Sequence, residues 1–206
     1  MGGRGAARSR PRAPAMIDLV NATLAALTVV AQIAAVLIAV ALVAGALSPR
    51  VRASLVPSWG PLGRQAVWLA WFTAAVAMGG SLFFSLVADY LPCQLCWYQR
   101  IAMYPLAIIL LVGALLRDRR VVLYAAVFPM VGALISIYHI YIEVNPEKES
   151  AACRAGVPCS TRWIDEFGYV TIPVMALSAF VLIGLLLVVA FIAGRHEDDD
   201  AVRPEG

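Results

Sequence analysis

Charge is scarce in this chain. Asp, Glu, Lys and Arg make up 14% of its 206 residues, against 62% hydrophobic ones. A soluble domain of this size could not cover so much apolar surface with so little charge, so that class is excluded. No charged residue occurs from Leu19 to Leu47. Histidine occurs only twice, as His139 and His196, which argues against haem ligation. The net charge of +3 is too slight to point to nucleic acid. Lysine occurs once, since fifteen of the sixteen basic residues are Arg; that bias carries no mechanistic content of its own. None of the four cysteines sits deep in an apolar run, where simple packing would explain it.

The long uncharged runs themselves define an all-α membrane protein with several spans. Residues 1–17 read as a disordered tail with Arg4, Arg8, Arg10 and Arg12 and no acid. Residues 18–47 form a first transmembrane segment, and Ser48 to Arg64 reads as a Pro- and Gly-rich polar loop. Four further spans follow over 65–193: about Gln65–Leu91, Cys93–Leu116, Val121–Ile142 and Tyr169–Ala193. Residues 194–206 form an acidic tail. The expected architecture is a four-helix transmembrane bundle with an extra N-terminal hydrophobic segment, five spans in all. Ala44-Gly45-Ala46 mimics a signal-cleavage site, but the run before it is too long for a signal peptide.

Parity orients the chain. The cysteines form two pairs, Cys93/Cys96 and Cys153/Cys159, in two loops that must share a side. The tight turn Arg117-Asp118-Arg119-Arg120 must face the other way. The positive-inside rule puts that turn, the tail after the fifth span, and Arg50, Arg52 and Arg64 in the cytoplasm. Both cysteine pairs then face the oxidising exterior, where disulfides persist. A spanning first segment leaves the Arg-rich N-terminus outside, against the same rule.

Pro92-Cys93-Gln94-Leu95-Cys96-Trp97-Tyr98-Gln99-Arg100 places a C-x-x-C pair at a helix start, at the mouth of a span. Pro92 suits the first helical turn, with both cysteines on that turn. Unpaired N–H groups and the helix dipole there favour a reactive thiolate. Such a dithiol suggests electrons passing between soluble thiols and an acceptor dissolved in lipid. Arg100, at i+4 from Cys96, could stabilise the thiolate, a quinol-type oxygen or a lipid phosphate; the plainer reading is an Arg reaching for the interface. His139, near the outer end of the fourth span, could bind or protonate an oxidant, or be an interfacial His beside Tyr138 and Tyr141. Glu143 lies at i+4 on the same face. Cys153 and Cys159 could staple their loop or relay electrons to the C-x-x-C by thiol–disulfide exchange. Together the four thiols could also make a tetrahedral zinc site, which an oxidising compartment disfavours.

At Cys93-x-x-Cys96-x-x-Gln99-Arg100 and Tyr104-Pro105, the chain resembles the bacterial DsbB family of membrane thiol:quinone oxidoreductases. The likeness continues through the basic turn and the second cysteine pair to Trp163 and Phe167-Gly168-Tyr169-Val170-Thr171-Ile172-Pro173, covering about residues 65–193. In the vitamin K epoxide reductase-like family the membrane C-x-x-C follows the loop pair; here it precedes it. The loop pair is separated by five residues, as in the shorter BdbC-like members, and the N-terminal segment lies outside the family's core.

The resemblance implies a protein of the bacterial inner membrane that reoxidises an extracytoplasmic thioredoxin-like disulfide donor of the DsbA/BdbD kind. Cys153 would form the mixed disulfide with that partner, Cys159 would exchange with Cys93, and Cys96 would deliver electrons to a quinone, ubiquinone or menaquinone. Gln99, Arg100 and, more loosely, His139 would face the quinone. No metal site is implied. The alternatives from the residues alone are the same relay run as a reductase, or a membrane scaffold with structural disulfides or a four-thiolate zinc site.

Overall fold

A computed structural model of the chain describes residues 12–118, 120–154 and 156–202, including side chains except those of 12–14, 52–62, 64 and 196–202. The helices are α1 (Arg12–Leu47), α2 (Pro49–Leu86), α3 (Gln94–Leu116), α4 (Val121–Ala125), α5 (Val127–Val144), α6 (Ala151–Arg154) and α7 (Ile172–Val202). Five stretches are long and apolar enough to cross a membrane: Ala15–Leu47, Gln65–Leu86, Gln94–Leu116, Val121–Val144 and Ile172–Arg195. The expected all-helical architecture with an N-terminal fifth span is what the chain forms.

Several boundaries differ from the sequence reading. α1 begins at Arg12, inside the segment read as a tail, while residues 1–11 lie outside the described residues. The loop expected over Ser48 to Arg64 is helical from Pro49 onward. Ser48 is extended and accepts a hydrogen bond from Val51 N at 3.5 Å, and Pro49 takes the first helical position. That pair is a helix-start signal, and it prevails over the Pro and Gly content behind it. The fourth span is interrupted at Ala126, between α4 and α5. Pro129 explains the break, since it has no N–H for the Ala125 carbonyl and its ring crowds that carbonyl. α7 runs on through the acidic segment to Val202; residues 203–206 lie outside the described residues.

The 117–120 turn is built tightly. Arg117 adopts a left-handed conformation at φ 54°, and Asp118 N donates to the Gly113 carbonyl at 2.9 Å, closing the end of α3. The Asp118 carboxylate accepts from the Tyr124 hydroxyl and from Arg120 N, each at 2.8 Å. These two bonds hold its carboxyl below the usual range, the Tyr124 hydroxyl contributing most.

In lipid, helices gain little from hiding apolar surface from one another, so close packing must hold them. Ala66, Ala70 and Ala74 make a fully buried small-residue stripe along α2, which packs on α7. Leu106 and Leu110 of α3, Val121 of α4, and Phe180, Ile183 and Leu187 of α7 complete the interior. Ile108, Leu115, Leu134 and Ile137 point outward, as lipid-facing residues should. α1 packs on α2 and α7, with its N-terminal end toward the cysteine loops, because Asn21 Nδ2 donates to the Tyr90 hydroxyl at 3.2 Å.

α5 and α7 approach closely at Gly132, since a Cβ there would overlap the Phe180 ring. Gly132→Ala should therefore lower stability in mild detergent by about 1–3 kcal/mol through overpacking. Gly184→Ala, with nothing within 4 Å of its would-be Cβ, should leave the melting temperature unchanged. Equal melting temperatures for the two variants would contradict this packing.

Candidate functional site

Between α2 and α3 the chain leaves helical geometry, with Asp89 at φ 55° and Tyr90 N donating to the Phe84 carbonyl at 2.8 Å. Tyr90 stacks on Trp163 of the long loop, with ring centroids 5.2 Å apart and planes at 16°. That stack ties the two cysteine-bearing loops together. Cys93 caps α3: its backbone is extended and its Sγ accepts from Cys96 N at 3.3 Å. Pro92 thus lies ahead of the cap and not on the first turn, a shift of register from the sequence reading. A cysteine can take this position because its sulfur, like a serine hydroxyl, reaches a free amide of the first turn. The sulfurs of Cys93 and Cys96 are 2.8 Å apart and not bonded to each other.

Cys153, on α6, and Cys159 form a disulfide that is almost wholly buried, at 3% and 0% exposure. The Glu149 carboxylate fastens this ring, accepting from Ser160 N at 3.2 Å and Ser160 Oγ at 3.4 Å. Because these two cysteines are joined to each other, the four sulfurs do not gather into one thiolate cluster. His139 stands between the pairs. Its Nε2–H donates to the Cys159 carbonyl at 3.0 Å, and the same nitrogen lies 3.6 Å from Cys93 Sγ. Its Nδ1 is buried with no hydrogen-bond partner among the described residues. Glu143, one turn along, accepts from the Thr171 hydroxyl at 2.8 Å and so anchors the start of α7.

Cys96 faces differently. It lines a cavity of about 290 Å³, mostly apolar, together with Gln99, Arg100, Ser81, Tyr104 and Trp163. His139 is not among that cavity's lining residues; with Cys93, Cys96, Glu143 and Pro158 it lines a separate small cleft. Arg100 donates to the Ser81 carbonyl at 3.1 Å and to the Ser85 hydroxyl, and its guanidinium lies 5.4 Å from the Trp97 ring centroid. Among the described residues no carboxylate pairs with it. A cation held at a cavity edge by neutral groups keeps its charge available to an anionic oxygen or sulfur. Gln99 is buried and donates to Ser136 Oγ at 2.9 Å, tying α3 to α5. Tyr104 donates to Ser81 Oγ at 3.2 Å.

Sequence reading missed Ser81 and Ser85 as the seat of Arg100. Their signal was two hydroxyls at helical i, i+4 spacing in an otherwise apolar span. It also missed Glu149, which carries no motif, and the Tyr90–Trp163 stack, which joins residues far apart in sequence.

The profile of the DsbB family, described as "Disulfide bond formation protein DsbB", matches residues 63–192. The chain is 50% identical over 115 residues to "Probable disulfide formation protein C" of Halalkalibacterium halodurans, a match covering 55% of this chain and 84% of that protein. It is 46% identical over 119 residues to "Disulfide bond formation protein C" of Bacillus subtilis, covering 57% of this chain and 86% of that one. No solved structure matches the chain.

Cys93 lies just ahead of its span, and the Cys96 thiol beside it holds its pKa well below the usual thiol range; burial opposes this and His139 adds to it. A lowered pKa makes Cys93 a thiolate at pH values where an ordinary thiol keeps its proton. Alkylation of the reduced protein at Cys93 should therefore proceed at a nearly constant rate from pH 8 to pH 5. An ordinary thiol would slow about tenfold per pH unit over that range. Rates followed by mass spectrometry check this, and a tenfold fall per unit would refute the thiolate.

Proposed function

The chain belongs to the DsbB family of disulfide bond formation proteins, membrane thiol–disulfide oxidoreductases, and from that membership we propose that it carries two electrons from a reduced thioredoxin-like protein to a membrane quinone. The observation that carries this reading is the division of labour within one dithiol. Cys93 faces His139 and the loop disulfide, while Cys96 faces an apolar cavity beside an uncompensated Arg100.

The sequence of exchanges balances in thiols and disulfides. A partner thiolate attacks Cys153, and resolution by the partner's second thiol leaves the partner oxidised and Cys153 and Cys159 as thiols. The Cys159 thiolate then attacks Cys93 of an oxidised Cys93–Cys96 pair. Closure of Cys153–Cys159 releases Cys93 and Cys96 as thiols. The arrangement described, with the loop pair joined and Cys93 and Cys96 free, corresponds to that moment. The His139 Nε2–H that donates to the Cys159 carbonyl also lies 3.6 Å from Cys93 Sγ, so a Cys93 thiolate would have to share that one proton with the carbonyl. A quinone supplies a lipid-soluble acceptor of two electrons and two protons, which restores the Cys93–Cys96 disulfide.

The cavity suits such an acceptor. Its volume is near the lower end for small-molecule pockets, its walls are mostly apolar, and its polar groups gather at Cys96, Arg100, Ser81 and Tyr104. Arg100 would hold the acceptor's oxygen, and Gln99, fixed by Ser136, would keep the shape of that end. Ubiquinone and menaquinone both fit this description. We further propose that both cysteine pairs face the outside of a bacterial plasma membrane, with the Arg117–Arg120 turn in the cytoplasm.

Purified protein supplied with a reduced thioredoxin-like protein should reduce a soluble quinone analogue, followed by the change in quinone absorbance. Cys96→Ser should abolish turnover, and unchanged turnover would sink the mechanism. Arg100→Gln should raise the quinone KM about tenfold, since a charge-assisted hydrogen bond contributes about 1.5–3 kcal/mol. For topology, Ser9→Cys should label with an impermeant maleimide in intact cells and Arg120→Cys should not, each in a background without the native cysteines. Labelling of both would overturn the five-span arrangement.

A further inference from the structure

α1 lies wholly outside the residues matched by the family profile, 63–192, yet it is built into the cavity. Leu24, Leu27, Thr28, Val30, Ala31 and Ala34 line it. They recur at spacings of three and four, so they form one stripe along one face of a helix. Val36 and Val40 point away, at 61% and 60% exposure.

The contact is specific, not a loose apolar lean. Asn21 donates to Tyr90, whose ring stacks on Trp163, and both of those rings line the cavity. Gln32 donates to Ser178 Oγ at 3.0 Å and accepts from the Tyr169 hydroxyl at 2.9 Å, fixing α1 to α7 and to the segment before it. Polar side chains within apolar spans persist where they bond to other elements, and both do: Gln32 to α7, and Asn21 to the segment between α2 and α3. Gly80 lets α1 come close, since a Cβ there would lie 3.0 Å from Leu24 Cδ1. Its neighbour Ser81 seats Arg100. α1 is therefore pinned on both sides of the cavity's polar end.

We infer that α1 forms one wall of the quinone pocket, and that its Leu24–Ala34 face, held by Asn21 and Gln32, governs which quinones the pocket accepts. This rests on the reading of the cavity as the acceptor site. α1 meets the acceptor's ring face and the first part of its isoprenoid tail, while the cysteine exchanges take place at the far side of Cys93 and do not involve it. Acceptor affinity and thiol exchange should therefore respond independently to changes in α1.

The test compares Ala31→Trp, which fills the cavity from α1, with Val36→Trp on the outward face. Ala31→Trp should raise the KM for a short-tailed quinone at least about tenfold. The KM for the reduced thioredoxin-like protein and the rate at which it reduces the Cys153–Cys159 pair should stay as in wild type. Val36→Trp should change neither. An unchanged quinone KM in Ala31→Trp overturns the inference while leaving the acceptor site standing. A wild-type protein that exchanges disulfides but reduces no quinone refutes the acceptor reading itself, and this inference with it. Should Ala31→Trp fail to fold, an azidoquinone photolabel on the wild-type protein decides: label on the peptide containing residues 24–34 supports the wall, and label confined to α2, α3 and α7 overturns it.

Discussion

His139 Nε2 bonds the carbonyl of Cys159, and the rest of the site depends on that contact. Among its described residues the long loop between α5 and α7 has little regular structure: one short 3₁₀ turn, the four-residue α6 and a single bridge between Glu166 and Val170. What positions its disulfide over α3 is a side chain from the end of α5, itself 2% exposed. The Tyr90–Trp163 stack adds a second fixture and Thr171–Glu143 a third. With the loop so placed, Cys93 and the loop pair fall into one buried cluster with Leu95 and Ile142. A relay of thiol exchanges needs little reaction machinery beyond such placement, because the sulfurs supply the nucleophile and the leaving group.

The membrane sets a second constraint. Every backbone N–H and C=O in the spans must be satisfied locally, so irregular backbone is confined to the ends. The bundle obeys this except at Ala126, where the chain breaks between α4 and α5. The consequence for the site is that both cysteine pairs occupy the same end, one at a helix start and the other in a loop. Arg100 is the main charge carried inward from that end, and two serines and an aromatic ring surround it in place of an anion.

Much of this was legible in the chain. Uncharged runs of membrane length marked the five spans, and the cysteine spacing marked both pairs. Parity alone brought the pairs to one end of the bundle. Other features were not legible, for identifiable reasons. Pro57, Gly60 and Pro61 argued for a loop where α2 continues, because composition was weighed above the helix-start signal at Ser48 and Pro49. Pro92 was placed two positions too far into the helix, since a cysteine acting as cap is an unusual choice. His139 stood out in the chain as a candidate beside the interfacial reading, yet its place between the cysteine pairs depends on how the loop folds back. Ser81 and Ser85 were silent because a hydroxyl in a span has an ordinary use, bonding its own helix. Which elements Asn21 and Gln32 meet is a matter of tertiary packing.

The burial of the Cys153–Cys159 ring has a kinetic consequence. A protein thiolate must approach a disulfide nearly along the S–S axis, and sulfurs that are 3% and 0% exposed offer no such line of approach. The ring as described is thus a closed clasp, fastened by Glu149 on Ser160. A large thiol protein attacking it would have to wait for the clasp to open, or open it by competing for the Ser160 N–H and hydroxyl. A shut ring would also shield the bond from stray small thiols. The loop would then trade speed of encounter for selectivity, admitting only those thiols whose owner can unfasten it.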